Sequence, residues 1–215
     1  MRDAVWHVGG LEGLPHAVDG PLVWRVRLDD PEAAAWARGA ALRPEDLRDL
    51  AGRPQAAMRG VRRQLTRVLL ARVAGCHPDA IAFVRGEAGE PLVQAPQGWF
   101  ISIAGRWPHA LIGVARQPLG VDIEPEDAPP PPPDALTQGE REALAGASDA
   151  ILVSRWAAKE AHAKALGIAS RLEGSDIHTW LDGGVLRARS TGGETIIRLR
   201  RQDGLVCALA LPRRP

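Results

Sequence analysis

The chain reads as an α+β protein: a pseudo-duplicated, two-half fold in which each half packs helices on a small antiparallel sheet. Helix signals crowd residues 31–75 and strand signals crowd 81–124, without the β/α alternation of a parallel sheet. The same order, helices and then short strands, returns over residues 134–211, although no residue-level repeat relates the halves. At 215 residues, 45% hydrophobic and 25% charged, the chain has the material for one large core or two small ones. The halves divide as residues 1–116 and 117–215.

Residues 22–28, rich in Val, Leu and Trp, predict the first strand. Asp30 before Pro31 is a helix start, with proline at a favoured first position, and predicts a helix over 32–39. A second start lies at Arg43-Pro44-Glu45. Met58, Val61, Leu65, Val68, Leu69, Arg72 and Val73 recur at spacings of three and four, which predicts a long helix over 55–74 closed by Gly75. Short strands are expected at 81–84, from 91 after the Gly89-Glu90-Pro91 turn, and at 99–102. Residues 109–115 and 119–124 read as paired strands joined through Arg116, Gln117 and Pro118. Five prolines, Pro129–Pro133, donate no backbone hydrogen bonds and predict a stiff extended connector. Asp134 reads as the N-cap of a helix ending near Gly146. A stronger helix is expected over 151–166, closed by Gly167. Residues 176–211 read as three short strands with turns at Asp182-Gly183-Gly184, Gly192-Gly193 and Asp203-Gly204.

Acidic residues number 26 and basic ones 27, a near-neutral balance that argues against a polybasic nucleic-acid or membrane binder. The seven tryptophans are not interleaved with basic residues, so base stacking is a poor reading. No apolar run approaches the ~20 residues of a membrane helix, and the opening segment with His7, Glu12 and His16 lacks a signal peptide's apolar block. Cys76 and Cys207 are expected as free thiols in a reducing cytoplasm. The basic residues are 25 arginines and only two lysines, Lys159 and Lys164. A lysine is a compact ammonium and an arginine a broad planar fork, so two lysines five positions apart point to places that need the smaller cation.

Two clusters carry chemistry. In Gly120-Val121-Asp122-Ile123-Glu124 the two carboxylates are two apart on a strand and project from one face. Such a pair repels unless a cation compensates, and a hard divalent ion such as Mg2+ suits it, although a solvated strand end would also carry it. In Trp156-Ala157-Ala158-Lys159-Glu160-Ala161-His162-Ala163-Lys164, Glu160 and Lys164 are i,i+4 neighbours on a helix. The alanines leave that helix slim enough for a strand to approach, so Glu160 is a candidate third carboxylate and the lysines candidate phosphate ligands.

The first cluster, followed some thirty residues later by Trp156-x-x-Lys159-Glu160-Ala161-x-x-Lys164-Ala165-x-Gly167, resembles the Sfp-type 4'-phosphopantetheinyl transferases. Arg63-Gln64-Leu65 to Arg72 is similar to that family's arginine-bearing helix. Trp99-Phe100 to Gly105-Arg106-Trp107 is similar to the strand and turn before its metal strand. The resemblance implies transfer of 4'-phosphopantetheine from coenzyme A to a serine of an apo acyl- or peptidyl-carrier protein, with release of 3',5'-bisphosphoadenosine, by a monomeric cytoplasmic enzyme. It implies Asp122, Glu124 and Glu160 as Mg2+ ligands, Glu160 and Lys164 as catalytic residues, and Arg63, Ser102, Lys159 and Lys164 as coenzyme A contacts, with Lys159 a secondary phosphate contact or a structural one. It implies no nucleic-acid or membrane partner.

Two departures stand against it. Ser102-Ile103-Ala104 occupies the place of the family's Ser-His-Ser, and Gly89-Glu90-Pro91 that of its Gly-Lys-Pro, so two cations expected at the nucleotide's 3'-phosphate are missing. Arg85 and Arg106 are candidate substitutes. The alternative reading is a non-enzymatic or donor-altered relative that binds carrier or nucleotide but transfers poorly. Residues 53–77 hold Arg53, Arg59, Arg62, Arg63, Arg67 and Arg72 and no acid, a face for phosphates or an acidic helix, or simply a solvated cationic side.

Overall fold

Strand β2 (Leu22–Arg27), apolar and buried along nearly its whole length, lies inside a four-stranded sheet of order β1-β2-β6-β5, with β1 at Val5–Val8, β5 at Phe100–Arg106 and β6 at His109–Ala115. The computed structural model describes residues 3–87 and 89–213. The chain divides into two compact units between Gln117 and Pro118, and this sheet belongs to the first. Its helices are α1 (Pro31–Ala37), α2 (Pro44–Leu50) and α3 (Ala56–Ala74). The Asp30 side chain accepts from the Glu32 amide at 2.9 Å and caps α1. Helix α3 buries Leu65, Leu69 and Leu70 in the core that holds Trp24, Ile101 and Ile112, and Gly75 ends it at φ 67°. A separate hairpin pairs β3 (Ala82–Arg85) with β4 (Pro91–Ala95).

The second unit is a five-stranded antiparallel sheet of order β7-β11-β10-β9-β8, where β7 is Gly120–Pro125, β8 His178–Asp182, β9 Val185–Ser190, β10 Gly193–Gln202 and β11 Leu205–Pro212. Helix α4 covers Gln138–Ala143 and α5 covers Asp149–Ala165. Ala157, Ala158 and Ala161 of α5 pack with Ala188, Val206, Ala208 and Ala210 of the sheet, small against small, which brings helix and strands close. Among the described residues no helix is long and apolar enough to cross a membrane. Among the described residues Cys76 and Cys207 form no disulfide.

The α+β class holds in both units, with four corrections. Strand β1, which carries no strong periodic signal, pairs parallel to β2, so the first sheet is not wholly antiparallel. Residues 109–115 and 119–124 do not pair with each other: β6 sits between β2 and β5, and β7 pairs with β11. Alternation tells which way a side chain faces and leaves the neighbouring strand open. Asp134 caps no long helix. It lies in a single 3-10 turn, and α4 starts only after Thr137, which accepts from the Glu140 amide while the Glu140 carboxylate accepts from the Thr137 amide at 2.9 Å. The tail holds four strands, because the three turns separate four segments.

His162 of α5 is wholly buried, its Nδ1 2.8 Å from Thr195 Oγ1 and its Nε2 2.9 Å from Ser190 Oγ. Burial pushes its pKa down to about 4. Between pH 6.5 and 4 the unfolded chain therefore binds a proton that the folded chain does not, and this site's stability is lost as pH falls through that window. Asp122, raised to about 6, acts with the opposite sign over an overlapping range. The wild-type profile alone thus conceals both groups. The stability difference between wild type and His162→Asn, from urea midpoints, should shrink by roughly 3 kcal/mol from pH 7 to pH 4. A pH-independent difference would show that the imidazole titrates normally.

Candidate active site on the second unit

Strand β7 meets α5 through Gly120. A Cβ there would fall 2.5 Å from the Ala165 amide nitrogen and closer still to the Ala161 carbonyl oxygen, so only glycine allows this approach. Gly120, Asp122 and Glu124 alternate with Val121 and Ile123, and the face that Gly120 presses on the helix is therefore the carboxylate face. Gly120→Ala should cost about 3 kcal/mol, since both surfaces are backbone and neither can rotate away. An unchanged melting temperature would refute that apposition.

Asp122 and Glu124 are 6% and 5% exposed, unusual burial for two acids on one strand face. Lys164 of α5 donates to Asp122 Oδ1 at 2.7 Å and keeps a quarter of its side chain in solvent. Burial raises the Asp122 pKa to about 6, Lys164 pulls it down, and the charges of Glu124 and Glu160 push it up again. Oδ2 of Asp122 is buried and has no hydrogen-bond partner among the described residues. Glu160 is half-buried on α5, one turn before Lys164.

The structure thus brings Asp122, Glu124 and Lys164 together, with Glu160 in electrostatic reach. It does not gather the three carboxylates into a ready ligand set: among the described residues no group of three or more His, Cys, Asp or Glu is placed to hold a metal ion. The charges of Glu124 and Glu160 act against that of Asp122, and the Lys164 ammonium pairs with Asp122. The donor set still fits a hard divalent cation, because Asp122 presents an orphaned, desolvated oxygen beside a second buried carboxylate.

The other expected coenzyme A contacts, Lys159, Arg63 and Ser102, are engaged or buried within their own units. Lys159 is 1% exposed, and its ammonium donates to Glu140 Oε2 at 2.6 Å, the Gly174 carbonyl at 2.8 Å and the Ala135 carbonyl at 2.9 Å. All three protons are used, so none is left for a phosphate. Arg63 donates to Asp46 at 3.0 Å and Asp49 at 2.7 Å and stands over the Phe83 ring, locked in an ion-pair network with Arg67. Ser102 is buried on β5, on the face opposite Ile101, Ile103 and Gly105. Of the candidate substitutes, Arg85 pairs with Asp49 at 3.0 Å.

Sequence reasoning missed Glu140. Burial alone would raise its pKa, yet hydrogen bonds from Lys159, Thr179 and the Thr137 amide hold it below the ordinary carboxylate range. The Thr137-x-x-Glu140 capping spacing was the available signal.

Residues 118–210 match the family model of the 4'-phosphopantetheinyl transferase superfamily. The second unit is a domain of that superfamily. No curated protein matches the chain. The superfamily match spans all of β7 and α5, so the buried carboxylates, Glu160 and Lys164 lie inside the phosphopantetheinyl transferase domain. At family level this assigns phosphopantetheine transfer.

Proposed function

We propose that the chain is an Sfp-type enzyme that transfers 4'-phosphopantetheine from coenzyme A to a serine of an apo acyl- or peptidyl-carrier protein. The observation that carries this reading is the buried Asp122 and Glu124 of β7, with Asp122 ion-paired to Lys164 of α5, inside the matched domain. Asp122, Glu124 and Glu160 are the oxygen donors that would hold Mg2+, which when bound neutralises the pyrophosphate charge. Lys164, tethered to Asp122 yet partly solvated, is placed to shift its ammonium onto phosphate oxygens and balance charge on the leaving group. Glu160 keeps enough exposure to reach a hydroxyl and acts as the base. It takes the serine proton, directly or through water, as Oγ displaces 3',5'-bisphosphoadenosine at the phosphorus bearing the pantetheine arm.

The test is intact-mass spectrometry of an apo-carrier incubated with the protein, coenzyme A and Mg2+. A phosphopantetheine mass increase supports the reading, and an unchanged carrier across acyl- and peptidyl-carrier substrates refutes it. The rival reading, a relative that binds but does not transfer, draws on Ile103 and Glu90, neither of which offers a cation to a nucleotide phosphate. That rival would show nucleotide binding with no mass change.

A further inference from the structure

Strand alternation gives the second sheet two faces. Ala188, Ile197, Val206 and Ala208 turn to α5, and so does Arg201, which donates to Ser154 at 2.8 Å. The residues between them turn the other way. Along β7 and β11 that second face is apolar and buried, with Val121 and Leu209 each at 0% exposure. Along β9 and β10 it is cationic and reaches solvent.

The register sets its arginines as a ladder. Arg189 lies opposite Glu194 and Arg187 opposite Ile196, and Arg198 and Arg200 continue along β10. Each rung stands two residues beyond the last, a step of about 6.6 Å and a run of about 20 Å. Trp180 of β8 flanks the ladder opposite Arg187. The Arg189 guanidinium lies 5.4 Å from its ring centroid, and the His178 ring stacks on it at 5.8 Å.

These four arginines share their face with two acids, Asp182 and Glu194, and both are spent on Arg187, at 2.8 and 3.1 Å. Glu194 takes Arg213 as well, at 3.4 Å. Arg189 and Arg200 are exposed and pair with no acid among the described residues. The edge of β8 is closed at Thr179, whose amide donates to Glu140 at 2.9 Å, so a partner meets the face and not the edge. An extended chain repeats its side chains at the same two-residue step, and carboxylates at alternate positions fall in register with the ladder. The indole already stacks with His178 and Arg189, which makes it an apolar anchor and a poor platform for bases.

We propose that this face docks an acidic segment of a partner protein, laid extended along β9 and β10 with carboxylates on Arg189 and Arg200 and an apolar side chain against Trp180. The proposal stands apart from the transferase reading, because Asp122 and Glu124 lie on the opposite face of the sheet, opposite Ala208 and Val206 in the register.

The experiment titrates three probes calorimetrically at low salt: an alternating Glu-Thr peptide of about eight residues, enough to span the ladder, its Gln-Thr counterpart, and an oligothymidylate of similar length. The Glu-Thr peptide should bind wild type and weaken as salt is added. The double variant Arg189→Gln/Arg200→Gln should bind it about fivefold more weakly or worse at an unchanged melting temperature. Trp180→Ala should weaken it as well, and the Gln-Thr peptide should not bind. If the double variant melts early, Arg200→Gln alone carries the same comparison. No binding by wild type, equal binding by wild type and the arginine variant, or equal binding of the two peptides overturns the proposal. Oligothymidylate that binds more tightly than the peptide and depends on the same arginines also overturns it, because the face would then belong to nucleic acid.

Discussion

Asp122→Asn is expected to lower phosphopantetheine transfer by roughly 10³-fold while leaving the melting temperature unchanged or raised. The two effects separate because Asp122 is an expensive residue for the fold. Its Oδ2 is orphaned, and burial, with a smaller push from the like charges of Glu124 and Glu160, raises its pKa to about 6 against the pull of Lys164. Asparagine keeps the shape, and its carbonyl oxygen can still accept from Lys164, but the charge is gone. Only Lys164, itself partly solvated, loses an ionic partner, so the structural loss is small. In the proposed reaction, by contrast, transfer needs a charged oxygen donor at this position. The check is initial-rate measurement on an apo-carrier at saturating Mg2+ with thermal melts run in parallel. Activity within tenfold of wild type at an unaltered fold would remove Asp122 from the site.

Lys159→Met is expected to be the most damaging single change to the second unit, at about 3–5 kcal/mol. It leaves the Glu140 carboxylate buried without its cation and strips the Ala135 and Gly174 carbonyls of a donor at once. The Glu140 carboxylate also accepts from the Thr137 and Thr179 amides, each at 2.9 Å, so the ammonium ties α5 to the start of α4 and to β8. Lys159→Arg should be poorly tolerated too, because a planar fork cannot direct three short bonds from one nitrogen. Adding Glu140→Gln to Lys159→Met should recover part of the loss, since it removes the unpaired charge. Urea midpoints decide the matter: a Lys159→Met loss below 1 kcal/mol would show that the clamp is worth little.

The chemistry of the second unit was legible because it is local. Asp122 and Glu124 share a face by the two-residue period of a strand, and Glu160 and Lys164 share one by the four-residue step of a helix, whatever surrounds them. Their sequence spacing also carried the family resemblance. The arrangement of the residues around them was less legible. Arg62 and Arg63 are adjacent in sequence and alike in chemistry. One turns to Asp46 and Asp49 and the other lies over Gly105, a split that depends on acids 13 to 17 positions away and on a strand forty positions on.

What the sequence by itself determined is the class of the fold, the close of its long first-unit helix at Gly75, and the shared strand face of Asp122 and Glu124. Short-range physics suffices for these, since backbone period, capping and side-chain charge act within a few residues. Only the tertiary structure decided that β7 pairs with β11 and not with β6. It also decided that Lys164 meets Asp122 while Lys159 is consumed by Glu140 and two carbonyls. Both outcomes turn on which surfaces come within 3 Å of each other. That is settled by the packing of alanines and Gly120 between strand and helix, a distance set by the whole core and by no segment alone.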